Sequence, residues 1–270
     1  MDVWQYLNPL DVPACARRFQ TAEPFPNICM DNFLKPEFAE QVLRDFPSFE
    51  QAKGVGKEFR AVNERGKVQV TDSSTFRGGV RSLNDLLACA EFLQLMSEIT
   101  GISGLLADAS LAGGGLHQTG PRGHLDVHLD FNFITDRQLH RRLNIILFLN
   151  PGWKPEWGGC LELWDKKVRH CHHRLAPIFN RCIVFETNEI SFHGVTAVTC
   201  PVTESRKSFA AYYYTHYAGS DIHELSHSTI FRARPDEHWK RWVAMPVENL
   251  RRSLADGKRT VKQAIKRVVG

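Results

Sequence analysis

Between about residues 105 and 215 the chain is a series of short β-like runs, and that series limits the fold more than any other feature. Runs near 105–111, 124–131, 142–149, 158–164, 181–186, 192–198 and 207–215 are separated by turn-forming residues. The run Arg142–Leu149 is nearly continuously apolar and β-branched, and Pro151-Gly152 breaks it. Trp153, Trp157 and Gly158-Gly159 then form a loop leading into Cys160-Leu161-Glu162-Leu163-Trp164. Seven such strands with turns between them predict a sandwich, a jelly roll or a small barrel.

The first part of the chain is expected to support that sheet. Residues 1–30 hold four prolines and no clear period, so an irregular arm is expected there. Pro36 suits the first position of a helix with Phe38, Val42, Leu43 and Phe46 as its apolar stripe, ending before Pro47. Residues 51–66 are rich in Gly, Lys, Arg and Glu and predict an exposed loop. Ser82 and Asp85 resemble a capping box for one helix carrying Leu83, Leu86, Leu87, Ala90, Leu93 and Ile99, with Gly101 ending it. Helices preceding a strand-rich half predict an α+β layout. After Tyr217 come a His-containing loop, a helix bearing Trp239 and Trp242, and an amphipathic helix over Val247–Val269. One domain over 1–270 is expected: an arm and supporting helices over 1–104, a β core over 105–216, and a helical, basic extension over 217–270.

Composition removes several classes. The 43% hydrophobic and 24% charged fractions suit a globular chain, and no apolar run reaches the roughly 20 residues that span a bilayer. No basic segment followed by an apolar one opens the sequence, so no secretory signal is expected. Seven scattered cysteines without a CxxC predict free thiols and a cytoplasmic location. Seven Lys/Arg lie between Arg251 and Gly270 against one acid, so the net +4 rests on the tail and the body is near neutral. No nucleic-acid partner is expected, and the tail is expected to be a solvated amphipathic helix, with docking to an anionic surface the lesser alternative.

The chemistry centres on Gly123-His124-Leu125-Asp126-Val127-His128-Leu129-Asp130-Phe131. Period-two alternation puts His124, Asp126, His128 and Asp130 on one face and Leu125, Val127, Leu129 and Phe131 on the other. A face built only of imidazoles and carboxylates suits a borderline metal such as iron(II) or zinc. Either HxD pair can supply two ligands. His193, followed by Gly194 in a later strand, is the best third, and two histidines with one carboxylate leave coordination positions open. Thirteen residues on, Arg206 shares a strand face with Ser208, and an arginine can grip a carboxylate by two parallel hydrogen bonds.

The order HxD, apolar strand, Trp-Gly-Gly loop with Leu-Glu-Leu, Phe-His-Gly, then Arg-x-Ser before a tyrosine-rich strand resembles the 2-oxoglutarate and Fe(II)-dependent oxygenases. The prolyl 4-hydroxylase-like subgroup is the most similar, over roughly residues 105–216. The resemblance implies a double-stranded β-helix (jelly roll), iron held by His128, Asp130 and His193, and 2-oxoglutarate gripped by Arg206. Ser208, Asn144 and Gln118 stand where the family places further co-substrate contacts. Phe131 and Asn132 after Asp130 resemble the family pattern and favour His128/Asp130 over His124/Asp126, leaving the latter as a substrate-facing pair. The implied reaction consumes 2-oxoglutarate and O2, releases succinate and CO2, and hydroxylates a C–H bond. The substrate the resemblance implies is a prolyl or amino-acid-like group, peptidyl or small, or another small molecule.

Two other classes compete: a metal-binding, cupin-like barrel of different chemistry, which leaves Arg206 without a task, and a non-catalytic binding protein, which would lack a ligand. Structural roles are expected for His117, His140 and His216, a solvated loop for His170-Cys171-His172-His173, and a strand bend for Gly113–Gly115, which lacks the Lys-Ser/Thr of a phosphate loop. Tyr212–Tyr214 are expected to alternate between core and surface.

Overall fold

The structure, a computed structural model, describes residues 1–240. In chain order it contains α1 (Val12–Gln20), β1 (Asn27–Met30), α2 (Pro36–Arg44), α3 (Phe49–Val55), β2 (Lys57–Arg60), β3 (Glu64–Val70), α4 (Gly78–Ala88), α5 (Ala90–Thr100), β4 (Leu106–Ala107) and β5 (Gly115–Leu129). There follow β6 (Phe133–Ile134), β7 (Leu139–Phe148), β8 (Leu161–Trp164), β9 (Cys171–Leu175), β10 (Arg181–Glu186), β11 (His193–Val195), β12 (Arg206–His216), α6 (Ile222–Leu225) and β13 (Ile230–Arg232). Trp242, the helix expected over Val247–Val269 and the basic tail lie outside the described residues. Among those described, no helix is long and apolar enough to cross a membrane.

All the strands join one curled antiparallel sheet in the order β1-β10-β7-β12-β5-β11-β8-β9, the jelly roll expected. β5 makes the curl. Its first part pairs with β12 (Leu116 opposite Phe209) and its last part with β11 (His128 opposite His193), so one strand belongs to both halves of the roll. Helices α1, α2, α4 and α5 cover the outer side of β7, β10 and β12. There Phe19, Phe33, Leu34, Val42, Leu83 and Phe92 are buried with Leu143, Leu147, Cys182 and Tyr213. Each such large apolar side chain contributes about 1.5–3 kcal/mol on burial. The Tyr213 hydroxyl donates to the Leu87 carbonyl at 2.8 Å, tying α4 to the sheet.

Several expectations change. The arm 1–30 holds α1 and β1, with Asp11 capping the Ala14 N–H. Residues 51–66 are not a loop: Ser48 and Gln51 form a full capping box for α3, and a β2–β3 hairpin follows. The single helix from Ser82 is two, split at Cys89, whose backbone is extended (ψ 155°). In a continuous helix Phe92, Leu95, Met96 and Ile99 would lie opposite Leu83, Leu86 and Leu87, and breaking at Cys89 lets both sets face the core. Ser82 is not a cap; its hydroxyl donates back to the Gly78 carbonyl within α4. Gly101 does end α5, in the left-handed region. The 170–173 cluster lies in and beside edge strand β9 rather than a loop. Tyr213 and Tyr214 are both buried because β12 is covered on both faces.

Candidate metal and co-substrate site

His128 and His193 face each other directly across the β5–β11 ladder, 4% and 5% exposed, with ring centroids 4.3 Å apart. Asp130 follows just past the end of β5. Its two carboxylate oxygens lie 3.5 Å from His128 Nε2 and 3.5 Å from His193 Nε2. One ligand atom from each of the three residues falls within 4.8 Å of the others, and among the described residues this is the one such group. Each Nδ1 sits 2.9 Å from a backbone carbonyl, of Asp126 and of Ser191. A carbonyl only accepts, so Nδ1 carries the hydrogen and Nε2 presents its lone pair inward. Burial, with His128 adding to it, lowers His193 to about 4, so its ring is neutral at ordinary pH.

Asp130 is held ionised. Burial pushes its carboxyl up, but Arg141, His193 and His128 outweigh it and hold it well below the usual carboxylate range. Arg141 Nη2 and Asn144 Nδ2 both donate to Oδ2, at 2.8 and 2.9 Å, leaving Oδ1 the freer oxygen. Arg141 is fully buried, also donates to Asn144 Oδ1, and stacks 3.6 Å from the Tyr212 ring. Sequence reasoning missed this residue. Leu143 pairs with Tyr213 but Arg141 with Tyr214, so an extra residue in β7 turns Arg141 inward against the period-two pattern.

A cavity of about 510 Å³ extends from these residues to Arg206 and Ser208, with Ile146, Leu161 and Val195 as apolar wall. Arg206, 4% exposed, donates through Nε to the Gly159 carbonyl at 2.7 Å and lies 4.8 Å over the Phe148 ring. Gly159 (φ +69°) sits against it, and a Cβ there would come 3.0 Å from Arg206 Cδ, which accounts for the second glycine of the Trp-Gly-Gly loop. Among the described residues no carboxylate pairs with Arg206, and burial lowers it to about 10. The Ser208 hydroxyl is buried without a partner. A desolvated guanidinium and an unsatisfied hydroxyl on one cavity wall fit an incoming carboxylate.

The remaining residues are placed differently from the period-two reading. Asn144 lines the cavity, but its amide is committed to Asp130 and Arg141. Gln118 points out of the cavity; it donates to the Pro47 carbonyl and accepts from Ser205 Oγ, while its neighbours His117 and Thr119 line the wall. Between Leu125 and His128 β5 spends three steps against two in β11, a bulge. It allows Leu125 to line the cavity and turns Asp126 away, to full burial against Lys240 and Arg234. Asp126 is therefore not substrate-facing. His124 stays at the cavity mouth, its Nε2 3.1 Å from the Val62 carbonyl.

Residues 114–214 match the family model of the 2OG-Fe(II) oxygenase superfamily. That match makes this core similar to the 2-oxoglutarate/Fe(II) oxygenases. Mouse prolyl 3-hydroxylase OGFOD1 is 35% identical over 78 residues, 27% of this chain, and that match spans only 14% of the mouse protein. A prolyl hydroxylase from Trichoplax adhaerens, solved with a hypoxia inducible factor peptide, has the same fold. Its TM-score is 0.56 at 18% identity, over 75% of this chain and 90% of that one. A Pseudomonas putida prolyl-4-hydroxylase superposes with a TM-score of 0.50 at 20% identity, over 76% of this chain and all of that one.

Proposed function

We propose that this protein is an Fe(II)- and 2-oxoglutarate-dependent dioxygenase that hydroxylates an unactivated C–H bond of a prolyl or amino-acid-like group, with a residue in a peptide the first choice. One observation carries the reading: a His128/Asp130/His193 donor set and an unpaired Arg206–Ser208 anion grip share one cavity. The prolyl choice is supported by what the mouse, Trichoplax and Pseudomonas proteins are named for. Substrate C–H, O2 and 2-oxoglutarate would become substrate C–OH, succinate and CO2.

In this reading His128, Asp130 and His193 hold Fe(II), which supplies the activation of O2 coupled to decarboxylation of 2-oxoglutarate. The chain's own side chains do the positioning. Two imidazoles, each tied through Nδ1 to a backbone carbonyl, present Nε2 to the site, and Arg141 with Asn144 orient the Asp130 carboxylate. Arg206 and Ser208 bind the distal carboxylate of 2-oxoglutarate, while Ile146, Leu161 and Val195 enclose its methylenes. Phe231 and Tyr212 help to exclude water beside the metal residues. One oxygenase domain over the whole chain and a reducing, cytoplasmic setting belong to the same proposal; all seven cysteines are free thiols.

The test is anaerobic titration of Fe(II) and 2-oxoglutarate, expected to give a visible charge-transfer band, followed by succinate release screened over proline-containing peptides and free amino acids. His193→Ala should remove the band. Absence of both band and succinate in the native protein would overturn the proposal.

A further inference from the structure

The cavity mouth has two walls, and both reach one residue that does not line the cavity, Asp126. On one side stands the β2–β3 hairpin, which contributes Phe59, Arg60 and Ala61. On the other stands the segment 226–240, which contributes Thr229 and Phe231; its strand β13 pairs with β5 so that Phe231 lies opposite His128, ring centroids 5.5 Å apart.

The bulge in β5 is where they meet. There Arg234 Nη2 donates to the carbonyls of Leu125 and Val195, at 3.4 and 3.2 Å. Arg234 Nε donates to Glu162 Oε2 at 2.8 Å, and Nη1 lies 3.5 Å from Asp126 Oδ1. Lys240 Nζ reaches the same Asp126 oxygen at 2.6 Å. From the other side, the Asp126 N–H donates to the Asn63 carbonyl in the hairpin turn at 2.8 Å. Asp126 is fully buried, and its Oδ2 and the Asn63 side-chain amide are buried polar groups without partners, so the junction is an interior one and not a surface ion pair.

We propose that Asp126, Glu162 and Arg234 form a clasp that holds the 226–240 segment over the metal site, beside the hairpin that β3 ladders to β5, making Arg234 a positioning residue for substrate admission. The inference rests on the oxygenase reading only for the word substrate. The guanidinium satisfies four acceptors at once, two of them backbone carbonyls beside the bulge, a pattern no other side chain reproduces. Releasing it frees Phe231 from its station beside His128 while leaving the three metal residues, Arg206 and Ser208 on their own strands.

The experiment compares the full-length native protein with Arg234→Met, Arg234→Lys and Lys240→Met. The first readout is trypsin cleavage after Arg232, since Arg234 precedes proline and is not itself a site. The second is the Fe(II)–2-oxoglutarate absorption band. The third is KM and kcat on a proline-containing peptide. For Arg234→Met the expected result is cleavage at least tenfold faster, an unchanged band, and KM for the peptide raised about tenfold with kcat within about threefold. Lysine should rescue little, because it cannot fill four acceptors. Lys240→Met removes only the outer cation and should show the same changes about threefold in size, which keeps the test available if Arg234→Met does not fold. Unchanged cleavage in both methionine variants overturns the clasp. Faster cleavage with a lost band overturns it too, because Arg234 would then support the whole site. A native protein that gives no band removes the oxygenase reading but leaves the cleavage result to decide the clasp.

Discussion

The inner and outer halves of the cavity are built by different means. The inner half takes its functional side chains from the central strands β5, β7, β11 and β12 and from Asp130 just past the end of β5, on backbones held in ladders. The outer half is walled by the β2–β3 hairpin, laddered to β5 through β3, and by a late segment held by the short β13 ladder and by side chains at one buried junction. Ladder hydrogen bonds place a side chain whatever its neighbours are, whereas a side-chain clasp places a segment only while all its members remain. A fixed metal and co-substrate site can thus be combined with a mouth that admits different substrates, and the two halves should fail differently on mutation.

The sharpest break is in the inner half. Asp130→Ala should abolish succinate formation and the Fe(II)–2-oxoglutarate band, with circular dichroism showing the fold retained. Next is Arg206→Met. The guanidinium is desolvated without a counter-ion, and its fall to about 10 corresponds to roughly 3 kcal/mol held against the apo fold. The folded pKa of this base lies below its unfolded value, so the cost is full at neutral pH and relaxes only as pH rises through about 10. Arg206→Met should therefore raise the melting temperature of the apo protein at pH 7 while weakening 2-oxoglutarate at least about a hundredfold, the value of two charge-assisted hydrogen bonds. A thermal-shift series with and without 2-oxoglutarate reads both; a lowered apo melting temperature would contradict it.

Arg141→Met should weaken metal binding by about 10–100-fold, the usual effect of removing a group that orients a ligand, and isothermal titration with Mn(II) measures it. The smallest change belongs to the outer half's support. Ser48→Ala removes the capping box of α3, which packs behind the β2–β3 hairpin, and should cost about 1 kcal/mol of stability in urea unfolding with the Fe(II)–2-oxoglutarate band intact. An altered band would mean that the two halves are coupled more tightly than their construction implies.

Residue types and their order along the chain determined much of the inner half. HxD, Phe-His-Gly and Arg-x-Ser named the residues that line one cavity, because period-two alternation and strand order are local properties. Alternation failed where the sheet breaks period. The bulge at Leu125–His128 turned Asp126 from substrate-facing to buried clasp, and the extra residue near Arg142 brought in an unsuspected Arg141. Gln118 came from its spacing in the family resemblance, and spacing along the chain does not say which way a side chain of the roll points. The division of one expected helix into α4 and α5 was readable in principle, since Phe92 and Leu83 cannot share a side of a continuous helix. β13 could not be anticipated, for three residues of strand carry no period of their own. What only the tertiary structure decided is the closure of the site, because Arg234 meets Asp126, Glu162 and the carbonyls of Leu125 and Val195, far apart in the chain, only once the sheet has brought them together.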